Sequence, residues 1–241
     1  IAQQGLAILE QHADIEYEVC TDLAGDDLRT ALLEADGAIC RSGVTLTEKS
    51  LIGNLRLKVI VRAGVGTDNI DKAAATRQGI IVMNTPTGNT FSTAEHTLTL
   101  LLALSRNVAP AFHSLQVGKW DRKKYMGTQL ADKVLGIVGL GRIGIEVAKR
   151  AKAFQMELIG YDPFLTSEQA AKIGLELCDT VHDMLPRVDY LTVHTPLTAE
   201  TKGLVSHEEL KIIKPGARLI NCARGGIYDE SALAAGIDDG T

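Results

Sequence analysis

The segment Val138-Gly139-Leu140-Gly141-Arg142-Ile143-Gly144 constrains this chain more than any other. An apolar run, residues 134–138, leads into it, and a helix-like run, residues 143–154, leads out. The next apolar run, residues 156–161, ends on Asp162. Strand, glycine turn, helix, strand and acid is the order of a dinucleotide-binding βαβ unit. Each glycine answers a separate demand. Gly139 allows the tight turn, Gly141 lets backbone approach a pyrophosphate, and Gly144 lets the helix lie close to the strand. N–H groups at the helix N-terminus then meet the phosphates. Asp162 can accept hydrogen bonds from both ribose hydroxyls, and its charge repels a 2′-phosphate. No basic residue follows in Pro163-Phe164-Leu165, so the expected cofactor is NAD rather than NADP.

At 241 residues the chain suits one large domain or two small ones, and 45% hydrophobic residues give it a core to bury. No apolar run approaches the roughly 18–20 residues that span a bilayer. The longest, residues 98–104, is interrupted by Thr99. A net charge of −5 argues against a nucleic-acid surface. Cys20, Cys40, Cys178 and Cys222 have no C-x-x-C spacing. They read as reduced, mostly buried thiols of a cytoplasmic protein, with neither a disulfide frame nor a metal site. No leader is read at the start, where the chain opens inside an element.

Residues 1–86 alternate helix and strand signals. Helices are expected at 2–11, 26–34 and from 47, and strands at 15–19, 37–41, 59–61 and 80–83. That pattern predicts a parallel sheet with helices on both faces, the short strand 37–41 being buried. A turn-rich crossing at Asn84-Thr85-Pro86-Thr87-Gly88-Asn89 ends this unit. Ser92 and Glu95 fit a capping box ahead of an apolar helix to Arg106, in which His96 reads as a core histidine. Strands are expected at 134–138, 157–161, 190–193 and 218–222, and a helix from Asp229. The expected fold class is α/β, with two doubly wound parallel-sheet units. A flavodoxin-like substrate domain spans 1–86, and a Rossmann NAD-binding domain spans 87–241. Four strands where such a domain has six leave the second sheet incomplete at its C-terminal side.

Five ordered segments carry a resemblance. They are residues 62–71 (RAGVGTDNID), 82–86 (VMNTP), the glycine motif with Asp162, 194–197 (HTPL) and 221–226 (NCARGG). In this order the chain resembles the D-isomer-specific 2-hydroxyacid dehydrogenases. The resemblance implies hydride transfer between the C2 carbon of a 2-hydroxy acid and NAD. Within the family, residues 118–127 (GKWDRKKYMG) most resemble the members that act on 3-phosphoglycerate, and that resemblance implies its oxidation to 3-phosphohydroxypyruvate in serine synthesis. Arg224 matches the family's catalytic arginine, which grips the substrate carboxylate and polarises the carbonyl. On the cofactor side the resemblance implies backbone N–H groups of Arg142 and Ile143 at the pyrophosphate. Thr195 and Pro196 would lie along the adenine ribose, Cys222 and Ala223 would face the nicotinamide, and Val65 stands where many relatives have threonine. On the substrate side it implies Arg41, Ser42, Arg62, Gly64 and Asn89.

In the family a histidine, oriented by a glutamate, exchanges the proton, and that histidine lies in a Pro-His-Leu-Gly-like segment. This sequence has no Pro-His pair. The expectation is therefore a piece of a longer enzyme, catalytically incompetent and a poor NAD binder alone. His194, at a strand end, is read as packing or bonding to backbone. His12, His182 and His207 are read as surface residues. Lys119, Arg122, Lys123 and Lys124, with Trp120 and Tyr125, are read as a subunit contact that lends a cation to a neighbour's substrate phosphate. The expected assembly is a homodimer or homotetramer, without nucleic-acid or membrane partners. Two other readings share these motifs. One is another family member such as a glyoxylate or hydroxypyruvate reductase. The other is an NAD(H)-sensing corepressor-like binding protein.

Overall fold

A computed structural model describes residues 2–240. Ile1 and Thr241, which bound the two expected domains, lie outside the described residues. The chain forms two compact units, divided between Asn89 and Thr90.

The first unit contains α1 (Gln3–Leu9), α2 (Gly25–Glu34), β1 (Gly37–Cys40), α3 (Glu48–Leu51), β2 (Val59–Arg62), α4 (Lys72–Arg77) and β3 (Ile81–Asn84). Its sheet is parallel in the order β1-β2-β3, with Cys40, Arg62 and Asn84 in register at the C-terminal edge. Leu32, Leu51, Ala74 and Ala75 of the helices pack on Cys40 and Ile60. Asp71 stops the chain from fraying before α4 by accepting the Ala74 N–H at 2.8 Å. Helices were expected on both faces of this sheet, but α2, α3 and α4 share one core on one face. Right-handed crossovers between strands laid down in simple order all fall on the same side. The opposite face carries exposed Ile39, Ile81 and Met83, so strand 37–41 is not buried throughout.

Residues 15–19 do not form the expected strand. Ile15, Tyr17 and Val19 alternate as a strand would, but they are exposed and pair with no described strand. Alternation alone does not supply the neighbouring chain whose N–H and C=O groups a strand needs.

The second unit contains α5 (Thr90–Ser105), α6 (Val108–Gln116), β4 (Val134–Val138), α7 (Arg142–Ala153), β5 (Glu157–Tyr161), α8 (Ser167–Ile173), β6 (Glu176–Leu177), α9 (Val181–Met184), β7 (Tyr190–Val193), α10 (His207–Ile212), β8 (Arg218–Asn221) and α11 (Glu230–Asp239). Its sheet is parallel in the order β6-β5-β4-β7-β8. The two-residue β6 is a fifth strand, too short to announce itself in the sequence. The order reverses at β4, so helices cover both faces. Helices α5, α7 and α8 pack on one side, and α9, α10 and α11 on the other. Leu135, Ile137 and Val138 of β4 are buried accordingly, as a strand covered on both sides requires.

α5 begins at Thr90, ahead of the expected capping box, so Ser92 lies inside the first turn. His96 is exposed rather than in the core. Ala94, Thr97, Leu98 and Leu101 form the buried stripe of that helix at a spacing of three to four, and His96 falls off it.

Candidate functional site

The reversal of strand order places a crevice at the C-terminal ends of β4 and β7, the position where open α/β sheets bind ligands. The three glycines of the loop after β4 differ in physical cause. Gly139 has φ +89°, a left-handed conformation that side chains resist. A Cβ there would also meet the His194 backbone carbonyl at 2.9 Å. At Gly144 a Cβ would collide with the carbonyl oxygen of Gly139, so its bareness lets α7 seat against the loop. Gly141 is different. It is exposed, its φ of −70° suits any residue, and nothing lies within 4 Å of where a Cβ would stand. The protein itself leaves that space open.

Gly141 caps α7 without any side-chain hydrogen bond. Arg142 and Ile143 form the first turn of this twelve-residue helix, where N–H groups lack intrahelical partners and the helix dipole favours an anion. Asp162 follows β5 and is tied into the loop. Its Oδ2 accepts the Leu140 N–H at 2.7 Å, and its Oδ1 accepts the Phe164 N–H at 2.8 Å. The sequence reading missed both bonds.

At the end of β7 the His194 N–H donates to the Val138 carbonyl at 2.8 Å, which joins the two strand ends. The imidazole Nε2 lies 3.1 Å from Thr192 Oγ1, while Nδ1 is buried without a partner. Desolvation by burial lowers the His194 pKa from 6.5 to about 4, so the ring is neutral at pH 7. Thr195 Oγ1 is likewise buried and unpartnered, and Pro196 is exposed. The expected surface histidines, His12, His182 and His207, are exposed.

The turn after β8 holds Cys222, Ala223 and Arg224, all half-buried. Asn221 shapes it with both ends of its amide. Its Nδ2 donates to the Arg224 carbonyl at 2.7 Å, and its Oδ1 accepts the Ala223 N–H at 2.9 Å. Arg224 Nη1 donates to the Ala223 carbonyl at 2.9 Å.

In the first unit Arg62 ends β2, and the loops after β1 and β2 bring Arg41, Ser42, Gly64 and Val65 to the same C-terminal edge of that sheet. Asn69 Nδ2 donates to the carbonyls of Arg41 and Val44, and Asn84 Nδ2 donates to that of Val65 at 2.7 Å. Asparagine is suited to this bracing because its short amide bonds to nearby backbone. A Cβ on Gly64, at φ +154°, would overlap the Arg62 guanidinium. Burial raises the pKa of the Cys40 thiol, and the Arg62 charge partly opposes that rise. Neither Arg41 nor Arg62 pairs with a carboxylate among the described residues. Asn89 is exposed in the turn that closes the unit.

The space over Gly141, the N–H groups of the first turn of α7 and the acid at the end of β5 together define a dinucleotide-binding α/β unit. Comparison with known proteins carries this further. The profile of the D-isomer specific 2-hydroxyacid dehydrogenase NAD binding domain matches residues 98–241, and the chain belongs to that family. NAD is the cofactor that domain binds. The chain is 44% identical to the D-3-phosphoglycerate dehydrogenase of Methanocaldococcus jannaschii over 99% of its length and 45% of that protein's. With the Bacillus subtilis protein of the same name it shares 49% identity over 90% of its length and 40% of that protein's. It thus spans less than half the length of these curated relatives. The solved structure of an NAD-dependent formate dehydrogenase from Staphylococcus aureus in complex with NAD matches with a TM-score of 0.81 and 32% identity. That match covers 90% of this chain and 65% of that one. No helix among the described residues is long and apolar enough to cross a membrane.

Proposed function

We propose that the protein to which this chain belongs oxidises 3-phosphoglycerate to 3-phosphohydroxypyruvate with NAD, a step of serine synthesis. The observation that carries the reading is the pair of unpaired cations, Arg41 and Arg62, on one sheet edge of a chain with net charge −5. Uncompensated guanidinium groups on braced loops suit an anionic substrate, and a phosphorylated acid brings both phosphate and carboxylate. The relatives named D-3-phosphoglycerate dehydrogenase support the same substrate.

Bound NAD supplies the hydride acceptor. Arg142 and Ile143 hold the pyrophosphate by their N–H groups, and Asp162 orients the adenosine ribose. Thr195 and Pro196 flank that ribose, Cys222 and Ala223 back the nicotinamide, and Val65 contributes backbone alone. Arg41, Ser42, Arg62, Asn89 and the Gly64 N–H bind the substrate anion. Arg224 grips the carboxylate and polarises the C2 oxygen as charge develops there. No histidine described here is assigned to proton transfer, since the His194 Nε2 lies against Thr192 Oγ1 and its backbone carbonyl packs beside Gly139 of the phosphate loop.

The residues of the 118–127 segment are assigned to a subunit contact in a homodimer or homotetramer. Trp120, Arg122, Lys123 and Lys124 line one surface hollow, and Lys124 Nζ stands 5.6 Å from the Tyr125 ring centre. Val108, Phe112 and Leu115 make an exposed apolar stripe along α6 at helical spacing.

The test is NADH absorbance in the full-length parent with 3-phosphoglycerate, glycerate and lactate, each with NAD and NADP. Turnover strongest with 3-phosphoglycerate and NAD supports the reading. Preference for an unphosphorylated acid assigns another member of the family. NAD binding without turnover of any 2-hydroxy acid points to a sensor.

A further inference from the structure

We infer that Asp162 is a positioning residue for the phosphate loop as well as a ribose ligand, so that one carboxylate couples recognition of the ribose to that of the pyrophosphate. The inference rests on the NAD reading above and goes beyond it.

Its grounds are geometric. The loop between β4 and α7 is fastened to the end of β5 at two successive residues. The Gly139 N–H donates to the Tyr161 carbonyl at 2.9 Å, and the Leu140 N–H donates to Asp162 Oδ2 at 2.7 Å. The second Asp162 oxygen takes the Phe164 N–H at 2.8 Å, and the Leu165 N–H closes on the Asp162 carbonyl at 3.3 Å. The side chain is thus held from both sides, by the glycine loop before it and by the turn after it. Two consequences follow. The Leu140 N–H is spent inside the protein, which leaves the pyrophosphate to the groups beyond it, at Arg142 and Ile143. The ribose can use only the remaining lone pairs of an already oriented carboxylate, so little freedom is lost when it binds. Without the carboxylate the Leu140 N–H loses its partner, and the following glycine is free to leave the conformation that opens α7 to phosphate.

Ligand truncation separates the two roles. Dissociation constants are measured for adenosine, ADP and NAD on the full-length protein and its Asp162→Ala variant, adenosine by NMR titration and the others by calorimetry. A ribose contact alone lowers affinity by the same factor for all three ligands. The coupled role lowers adenosine affinity about tenfold and ADP and NAD affinity about a hundredfold. It also speeds amide exchange in the peptide spanning residues 138–143 of the ligand-free variant. Equal factors with unchanged exchange overturn the positioning role and leave the ribose contact standing. Loss for ADP and NAD without loss for adenosine sinks the ribose contact and keeps the positioning role. Unchanged affinity for every ligand overturns both. If Asp162→Ala melts too low to titrate, Asp162→Leu, which fills the same space without an acceptor, carries the same comparison.

Discussion

Replacing Gly141 by serine separates what the fold needs from what the ligand needs. Gly139 and Gly144 are bare for internal reasons, but the Cβ position of Gly141 faces open space and its φ of −70° is ordinary. Gly141 also occupies the N-cap of α7, where serine is at least as favourable as glycine by a few tenths of a kcal/mol. Gly141→Ser should therefore leave stability unchanged or raise it slightly. Binding should fall, because the side chain occupies the path of the pyrophosphate, and its hydroxyl competes for the N–H groups that would meet phosphate. Losing two hydrogen bonds to a charged group, at about 1.5 kcal/mol each, amounts to about 3 kcal/mol. At 1.4 kcal/mol per decade that is roughly a hundredfold in affinity. The assay pairs urea unfolding with titration of NADH fluorescence on the same preparations. Unchanged NADH affinity in a stably folded variant would refute the assignment of that space to the cofactor. Parallel loss of stability and affinity would show that the glycine serves the fold.

Three further outcomes are expected. Gly144→Ala gains about 1 kcal/mol of helix propensity but forces a methyl group onto the Gly139 carbonyl oxygen, a strain of about 1–3 kcal/mol. It should unfold at lower urea and bind NADH at least about tenfold more weakly; a more stable variant with normal binding counts against the packing argument. Tyr190→Phe removes a buried hydroxyl that meets Ser105 Oγ at 2.8 Å, Thr128 Oγ1 at 3.3 Å and Arg218 Nη1 at 2.9 Å. It should cost about 2 kcal/mol and roughly 4–8 °C in Tm with NADH affinity kept, and a Tm unchanged by calorimetry would contradict the network. His194 takes up its proton near pH 6.5 when unfolded and only near pH 4 when folded. The unfolded state binds more protons in between, so stability is full above pH 6.5 and falls as pH drops toward 4, by up to about 3 kcal/mol. His194→Gln should flatten that part of the denaturation profile; an identical slope in the variant excludes His194 as its source.

The second unit was legible because its signals are redundant. The central strands β4 and β7 are buried on both faces, and Gly139 and Gly144 answer needs of the fold itself. Asp162 could be placed beside the loop from spacing alone, but its bond to Leu140 could not, since nothing in a sequence reports which lone pairs the backbone consumes. The bracing asparagines, Asn69, Asn84 and Asn221, lie inside the quoted motifs, but an amide side chain beside a turn is too faint a signal to show which carbonyl it braces. Failures came where one pattern fits two outcomes. Residues 15–19 alternate like a strand but have no described partner strand, and His96 sits among apolar neighbours in sequence while falling off the buried stripe of α5. The one-sided cover of the first sheet follows from strand order, a property of topology rather than of any residue.

A crystal structure of the full-length protein with NAD(H) tests the central claim most directly. The account predicts the pyrophosphate over Gly141 within hydrogen-bond distance of the Arg142 and Ile143 N–H groups, and the adenosine ribose hydroxyls on Asp162 with its bond to Leu140 intact. A dinucleotide bound away from this loop, or a ribose that leaves Asp162 untouched, would contradict it.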